Sequence, residues 1–174
     1  LELEDVLQQV IDTALNVLDA ERGSVFLYDP KNEELRTRVA TGLQEIRVHM
    51  ERGIVGECAS SRTIINVEDC YQDERFNPEI DQLSGFTTRS LLAIPLVGHQ
   101  GDLVGVLELM NKRGASFSEF DETIGSLLAA QCAVALQRAA ALQRPHGATK
   151  ARPRPRDCQR HSARYPSPGH APTR

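Results

Sequence analysis

The sequence predicts an α+β fold, an antiparallel sheet with its first and last helices lying together on one face. Two observations predict it. Residues at helical spacing mark both ends of the folded part, and short runs of β-formers punctuated by Gly, Pro and Asn fill the middle. The order is helix, two strands, short helix, strand, long loop, two strands, helix. Strands joined by tight turns pair antiparallel, and helices packed on such a sheet make the α+β class.

Leu3, Val6, Leu7, Val10, Ile11, Leu15 and Leu18 recur at helical spacing and predict an amphipathic helix ending near Asp19. Ser24–Asp29 is rich in β-formers and stops at Pro30-Lys31-Asn32. Leu35–Ala40 resumes by alternation, with Leu35, Thr37 and Val39 expected on one face and Gly42 closing the hairpin. Gly53–Ala59 predicts a short helix opened by a glycine, and Ile64–Val67 a short strand. Asp69–Thr88 is polar, is broken by Asn77-Pro78 and Gly85, and is long for a plain connection. Long ordered loops often serve as lids. Ser90–Leu96 and Asp102–Asn111 predict two more strands across a turn at Gly98–Gly101. The last helix starts at Ser118, a good N-cap, with Asp121 and Glu122 in its first turns. Its apolar residues are Ile124, Leu127, Leu128, Val134 and Leu142, among many alanines. The stripes of the two terminal helices suit coiled-coil pairing with a second copy, so a homodimer is expected.

Length and composition fit one domain of residues 1–144, large enough for a core with a pocket inside it. Residues 145–174 form a basic Pro/Arg-rich tail with almost no aliphatics, expected to be disordered and to carry no function. The net charge of −4 hides an asymmetry, because the tail holds seven Lys/Arg against Asp157 alone. The body is correspondingly acidic and repels phosphate backbones, which argues against nucleic-acid binding. A small anion can still be met by local backbone N–H groups. Cys58, Cys70, Cys132 and Cys158 show no Cys-x-x-Cys pair and no zinc spacing, so free thiols in a reducing compartment are expected and no metal. No signal peptide and no apolar run of membrane length is read. The chain starts without Met and inside a helix, and reads as a piece of a longer cytoplasmic protein.

Glu108 is the sharpest single residue. Alternation along Val104–Met110 puts it on the face of Val104, Val106 and Met110. A carboxylate on an apolar face must be paired, sit at a wet edge, or bind something. Catalysis finds little support, since His49 and His99 lie outside any triad setting and no phosphate loop or Ser elbow is present. Lys112 ends a strand and Asp121 begins the next helix, so a salt bridge between them would pin helix to sheet.

Three stretches resemble a known family: Glu21–Asp29; Asn66-Val67 through Asp73–Asn77, Asp81 and Ser84–Arg89; and Asn111-Lys112, Phe117, Asp121-Glu122. Together they resemble a GAF domain of the cyclic-nucleotide phosphodiesterase and adenylyl-cyclase type, over about Leu3–Arg144. The resemblance implies a pocket under the short helix and loop, on the sheet face away from the terminal helices. It implies a cyclic nucleotide, cGMP or cAMP, as ligand and partner, no cofactor, and a relay to an output domain outside this chain. It assigns the purine to Glu108, the cyclic phosphate to the Ile54 and Val55 amides, and ribose or phosphate oxygens to Asp81, Ser84 and Thr88, with Ser24 at the base edge. The Asn111-Lys112, Phe117, Asp121-Glu122 motif it assigns to structure, with Lys112–Asp121 as a lock. Two positions depart from the family: Ala40 and Thr41 stand where relatives carry an aromatic that stacks on the base, and Asn77 replaces another. An ionised Glu108 accepts only, which leans towards guanine. A ligand-free dimerisation module and a GAF-fold methionine sulfoxide reductase using Cys58 and Cys70 are the alternatives.

Overall fold

The computed structural model describes residues 2–41 and 45–143; Gly42 and the tail of residues 145–174 lie outside the described residues. Helix α1 (Leu3–Leu18) leads into β1 (Ala20–Asp29), β2 (Glu34–Ala40) and β3 (Arg47–His49). Helix α2 (Gly53–Ser61) and β4 (Ile65–Val67) follow, then a lid containing a 3-10 turn at Cys70–Gln72 and α3 (Glu79–Ser84). Strands β5 (Leu91–Val97) and β6 (Leu103–Lys112) and helix α4 (Glu119–Leu142) complete the domain. The six strands form one antiparallel sheet in the order β3-β2-β1-β6-β5-β4.

Alternation divides the core between the two sheet faces. Leu107 and Leu109 of β6, with Leu92, Ile94 and Leu96 of β5, pack under α1 and α4. Val106 and Met110, with Leu91 and Ala93, face α2 and the lid. Each fully buried aliphatic side chain contributes about 1.5–3 kcal/mol of transfer free energy, so both layers are needed. The fold class matches the expectation, and β3, the 3-10 turn and α3 are additions to it.

Two bulges overturn two expected faces. The β1–β2 ladder shifts register between Val25 and Phe26. Leu35 therefore packs in the pocket-side layer while Val39 packs on the helix side, instead of sharing a face. The β5–β6 ladder shifts between Leu96 and Val97, so Leu103 joins the pocket-side layer and Val104 the helix side. Val104 thus does not share the face of Glu108, because an extra residue in a ladder inverts the alternation beyond it. Gly105 sits beside this bulge, and a Cβ there would collide with the Phe26 carbonyl oxygen.

Helix α4 buries a face of small residues. Gly125, Ala129, Cys132, Ala133 and Leu136 are buried, whereas Leu127, Val134 and Leu142 are exposed. Small residues let the helix lie close on the sheet, with Gly125 against Ile94. By length and composition α4 would also suffice to cross a membrane, which corrects the expectation that no such run exists. Its alanines supply that apolarity, and it packs as a core helix.

The start of α4 is fixed by charge as well as by packing. Ser118 Oγ accepts from the Asp121 N–H at 3.2 Å, and Asp121 Oδ2 accepts from the Ser118 N–H at 2.9 Å, a reciprocal capping box. Lys112 Nζ donates to Asp121 at 2.9 Å. Phe117 is buried under α4, and its carbonyl accepts from Asn66 Nδ2 at 2.8 Å. Glu122 is half-buried in the first turn, its N–H donating to the Ser118 carbonyl. Burial raises the Asp121 pKa, but Lys112 and the Ser118 N–H outweigh it and hold the carboxyl below its ordinary 3.8. A depressed folded-state pKa gives stability that is present above the unfolded value and lost as pH falls. Asp121→Ala is therefore expected to lower unfolding free energy by about 2–3 kcal/mol near neutral pH. Urea melts from pH 7 down to 3 should show that deficit shrinking as the wild-type carboxyl protonates.

Candidate functional site

A cavity of about 350 Å³ lies on the sheet face opposite α1 and α4. Its floor is Phe26 of β1, Leu91 of β5, and Glu108 and Met110 of β6. Gly53, Ile54 and Val55 of α2 form one wall, and Val48 of β3 contributes to another. The lid supplies the roof through Phe76, Ile80, Ser84 and Phe86.

Glu108 is 9% exposed, on an otherwise apolar floor of the cavity. Burial, and secondarily the negative charge of Asp81, push its pKa up to about 7. No hydrogen bond or cation among the described residues counters that shift. The internal ion pair and the wet edge, the two bland alternatives, are therefore not what the fold provides. What remains is a buried acceptor turned into a cavity.

The lid is braced by its own polar groups. Asp81 Oδ2 accepts from Tyr71 Oη at 2.8 Å and from the Thr88 N–H at 2.7 Å, while Oδ1 accepts from Thr88 Oγ1 at 2.7 Å. Asp81 and Thr88 line the cavity, yet their side chains are engaged with each other. Ser84 Oγ accepts from the Phe86 N–H at 3.3 Å, and Asn77 Oδ1 accepts from the Glu79 N–H at 3.0 Å, starting α3. Arg75 grips Asp73 through Nε and Nη2 at 2.9 and 2.7 Å and reaches Glu57 of α2 at 3.1 Å. Lid and α2 are thereby latched across the cavity mouth.

The opening turn of α2 offers N–H groups to the cavity. Ile54 and Val55 belong to that turn, where helix geometry leaves amides unpartnered, and no side chain caps it. Arg47, His49, Arg52 and Arg75 stand around the same wall. A helix N-terminus with an arginine beside it favours an anion.

Ser24, Ala40 and Thr41 are absent from the cavity wall. Ser24 lies in mid-strand, not at a strand start, and pairs with Glu108 across the β1–β6 ladder; its Oγ is buried without a partner. Ala40 pairs with Ser24, and Thr41 Oγ1 donates to the Gly23 carbonyl at 3.2 Å. The aromatic surface comes instead from Phe26, Phe76 and Phe86, none of which was singled out in the sequence. Phe26 could have been, since it lies two residues from Ser24 on the face of Glu108. Phe86 carries the Arg22 guanidinium 3.9 Å from its ring centre, a long-range contact with no sequence signal.

Cys58, Cys70 and Cys132 are buried free thiols, and none lines the cavity. Burial, followed for the first two by the charge of Glu108, pushes Cys58 and Cys70 up to about 12, and burial alone does so for Cys132. Thiols of this kind are poor nucleophiles.

Fold and site together define a regulatory ligand-binding domain, with a lidded small-molecule cavity on one sheet face and a helix pair on the other. The chain belongs to the GAF domain family, whose model matches residues 2–136. It is 33% identical over 151 residues to the probable 3',5'-cyclic phosphodiesterase pde-5 of Caenorhabditis elegans, covering 79% of this chain and 21% of that protein. It is 34% identical over 158 residues to the dual 3',5'-cyclic-AMP and -GMP phosphodiesterase 11 of Drosophila melanogaster, covering 80% of this chain and 11% of that protein. The chain thus spans only a small part of each of these relatives. The GAF domain of a phosphoenolpyruvate-protein phosphotransferase from Coxiella burnetii superposes with a TM-score of 0.72 at 25% identity, covering 81% of this chain and 86% of that one.

The thiol environment makes a direct prediction. In a Cys158→Ser background, a disulfide reagent such as DTNB at pH 8 should label none of the other three cysteines until the protein is denatured. Rapid labelling of native Cys58 or Cys70 would revive the reductase reading.

Proposed function

We propose that this domain binds a cyclic nucleotide, cGMP or cAMP, in the cavity and relays its occupancy to an output domain of a longer cytoplasmic signalling protein. The observation that carries the reading is Glu108, a buried acceptor without a partner among the described residues, on the floor of a cavity of about 350 Å³. That volume lies at the small end of ligand pockets. Glu108 takes the purine edge, and the α2 amides of Ile54 and Val55, with Arg52 beside them, take the cyclic phosphate. Phe76 and Phe86 supply ring surface in place of the aromatic missing at Ala40-Thr41. Asn77, Ser84 and Thr88 face the ribose side, while Asp81 acts as the brace that shapes the lid. The similarity to two cyclic-nucleotide phosphodiesterases supports the ligand class. On this reading the domain is regulatory and not itself an enzyme.

The relay reading rests on the helix face. Phe120, Leu127 and Val134 recur every seven residues on the exposed side of α4. That stripe suits pairing with a second copy through the terminal helices.

Mass spectrometry of material released from the denatured protein should detect a cyclic nucleotide, and calorimetry should register binding of cGMP or cAMP but not GTP. Glu108→Ala should weaken the preferred nucleotide by about 1–3 kcal/mol, or roughly 5- to 150-fold, with an unchanged far-UV spectrum. Silence with both nucleotides, together with a clean dimer, would leave the ligand-free module as the better description.

A further inference from the structure

We propose that Glu108 reads the purine in both of its protonation states, so that one cavity exchanges a guanine preference for an adenine preference as pH falls. The inference rests on the cyclic-nucleotide reading above and adds to it what sets the choice of base.

Its ground is hydrogen-bond chemistry at one buried position. An ionised carboxylate offers two acceptors and no donor. Guanine presents two adjacent donors, N1–H and N2–H, which match it. Adenine presents an N6–H donor beside the bare N1 acceptor, so an ionised Glu108 would face N1 with a second lone pair. A protonated carboxyl reverses the match, since its carbonyl accepts from N6–H and its hydroxyl donates to N1. In water either mismatch would be relieved by solvent. Here the carboxyl is buried, and an unmatched pair carries its full penalty.

The surroundings allow both states. The strands flanking Glu108 present Ser24 of β1 and Ala93 of β5 opposite it, neither charged. From the lid, Asp81 faces it with negative charge, and Cys70 and, from α2, Cys58 are close enough to feel its charge as neutral thiols. Arg47 and His49 of β3, Arg52 before α2 and Arg75 of the lid line the same cavity, but none pairs with Glu108 among the described residues. With no cation to fix its charge, its proton equilibrium falls near neutrality, at about 7.

The signs follow by linkage. If cGMP selects the ionised form, its affinity falls as pH drops below that value. If cAMP selects the protonated form, its affinity falls as pH rises above it. The ratio of the two dissociation constants then changes by about tenfold per pH unit throughout. His49 stands on a cavity wall common to both ligands, so any contribution it makes cancels from the ratio.

The test is calorimetry with cGMP and cAMP from pH 6 to 8, on the wild-type chain and on Glu108→Gln. A glutamine permanently offers one acceptor and one donor, as the protonated acid does. The wild-type ratio should move by about 100-fold over the two units, and the Glu108→Gln ratio should stay flat and favour cAMP. A second reading needs no variant: in two buffers of different ionisation enthalpy, cGMP binding should release and cAMP binding should take up a fraction of a proton, about half each at pH 7 and summing to one. A flat wild-type ratio overturns the proposal, as does an equal slope in Glu108→Gln or the absence of opposite proton linkage. If neither nucleotide binds at any pH, the cyclic-nucleotide reading itself falls and takes this inference with it.

Discussion

The structure turns on Asn111, a fully buried amide at the end of β6 with a backbone φ of 60°. Asparagine tolerates that left-handed conformation better than most residues. Here it aims the side chain across the end of the sheet. Nδ2 donates to the Thr87 carbonyl at 2.8 Å and to Glu21 at 3.1 Å, while Oδ1 accepts from the N–H groups of Arg89 and Ser90 at 2.6 and 3.3 Å. One side chain thus ties the end of the lid and the start of β1 to β6. Glu21 is held in turn by Arg89, and that contact, ahead of Asn111 itself, keeps its pKa low. The next residue, Lys112, holds α4 through Asp121. Two consecutive residues therefore anchor the lid and the C-terminal helix. Their identity is demanding because an unsatisfied buried polar group costs more than a satisfied one contributes.

This anchoring explains how polar groups divide around the cavity. Lid residues spend their hydrogen bonds on one another, through Asp81 with Tyr71 and Thr88 and Arg75 with Asp73. Such a network gives the roof a defined shape at the expense of free ligand-binding groups. The sheet floor is the reverse. It is apolar apart from Glu108, whose carboxylate has no hydrogen-bond partner among the described residues. The Asp and Thr side chains of the lid thus hold one another, while the Glu108 carboxyl on the floor is left facing the cavity.

That division marks what could be read from the chain. The Ser118–Asp121 cap and the Lys112 partner were legible because they depend on spacing of a few residues. Glu108 was legible through alternation, and the same rule failed at Val39 and Val104, where a bulge, set by pairing with a neighbouring strand, inverts it. Strand β3 and helix α3 have three and six residues, too short for any period to show. The first exists by pairing with β2 and the second is started by Asn77. The buried face of α4 does not follow from its large apolar residues, because leucines mark a core only where there is room for them. Close approach to Ile94 selects Gly125 and alanines, leaving Leu127 and Val134 outside.

The shift of aromatic surface from the sheet to the lid has a mechanical consequence. In a cavity whose stacking ring sits on a strand, base recognition and lid position are separable. Here the acceptor belongs to β6, whereas Phe76 and Phe86 belong to the lid. A base engaging both would join roof to floor, and tighter binding in the closed arrangement is the only source of free energy for closure. The floor strand is also the strand beneath the helices, since Leu107 and Leu109, flanking Glu108, pack in the core shared with α1 and α4. Only the thickness of one strand separates the Glu108 carboxyl from the helix pair. On the cyclic-nucleotide reading proposed above, no longer path is required for occupancy to be felt there.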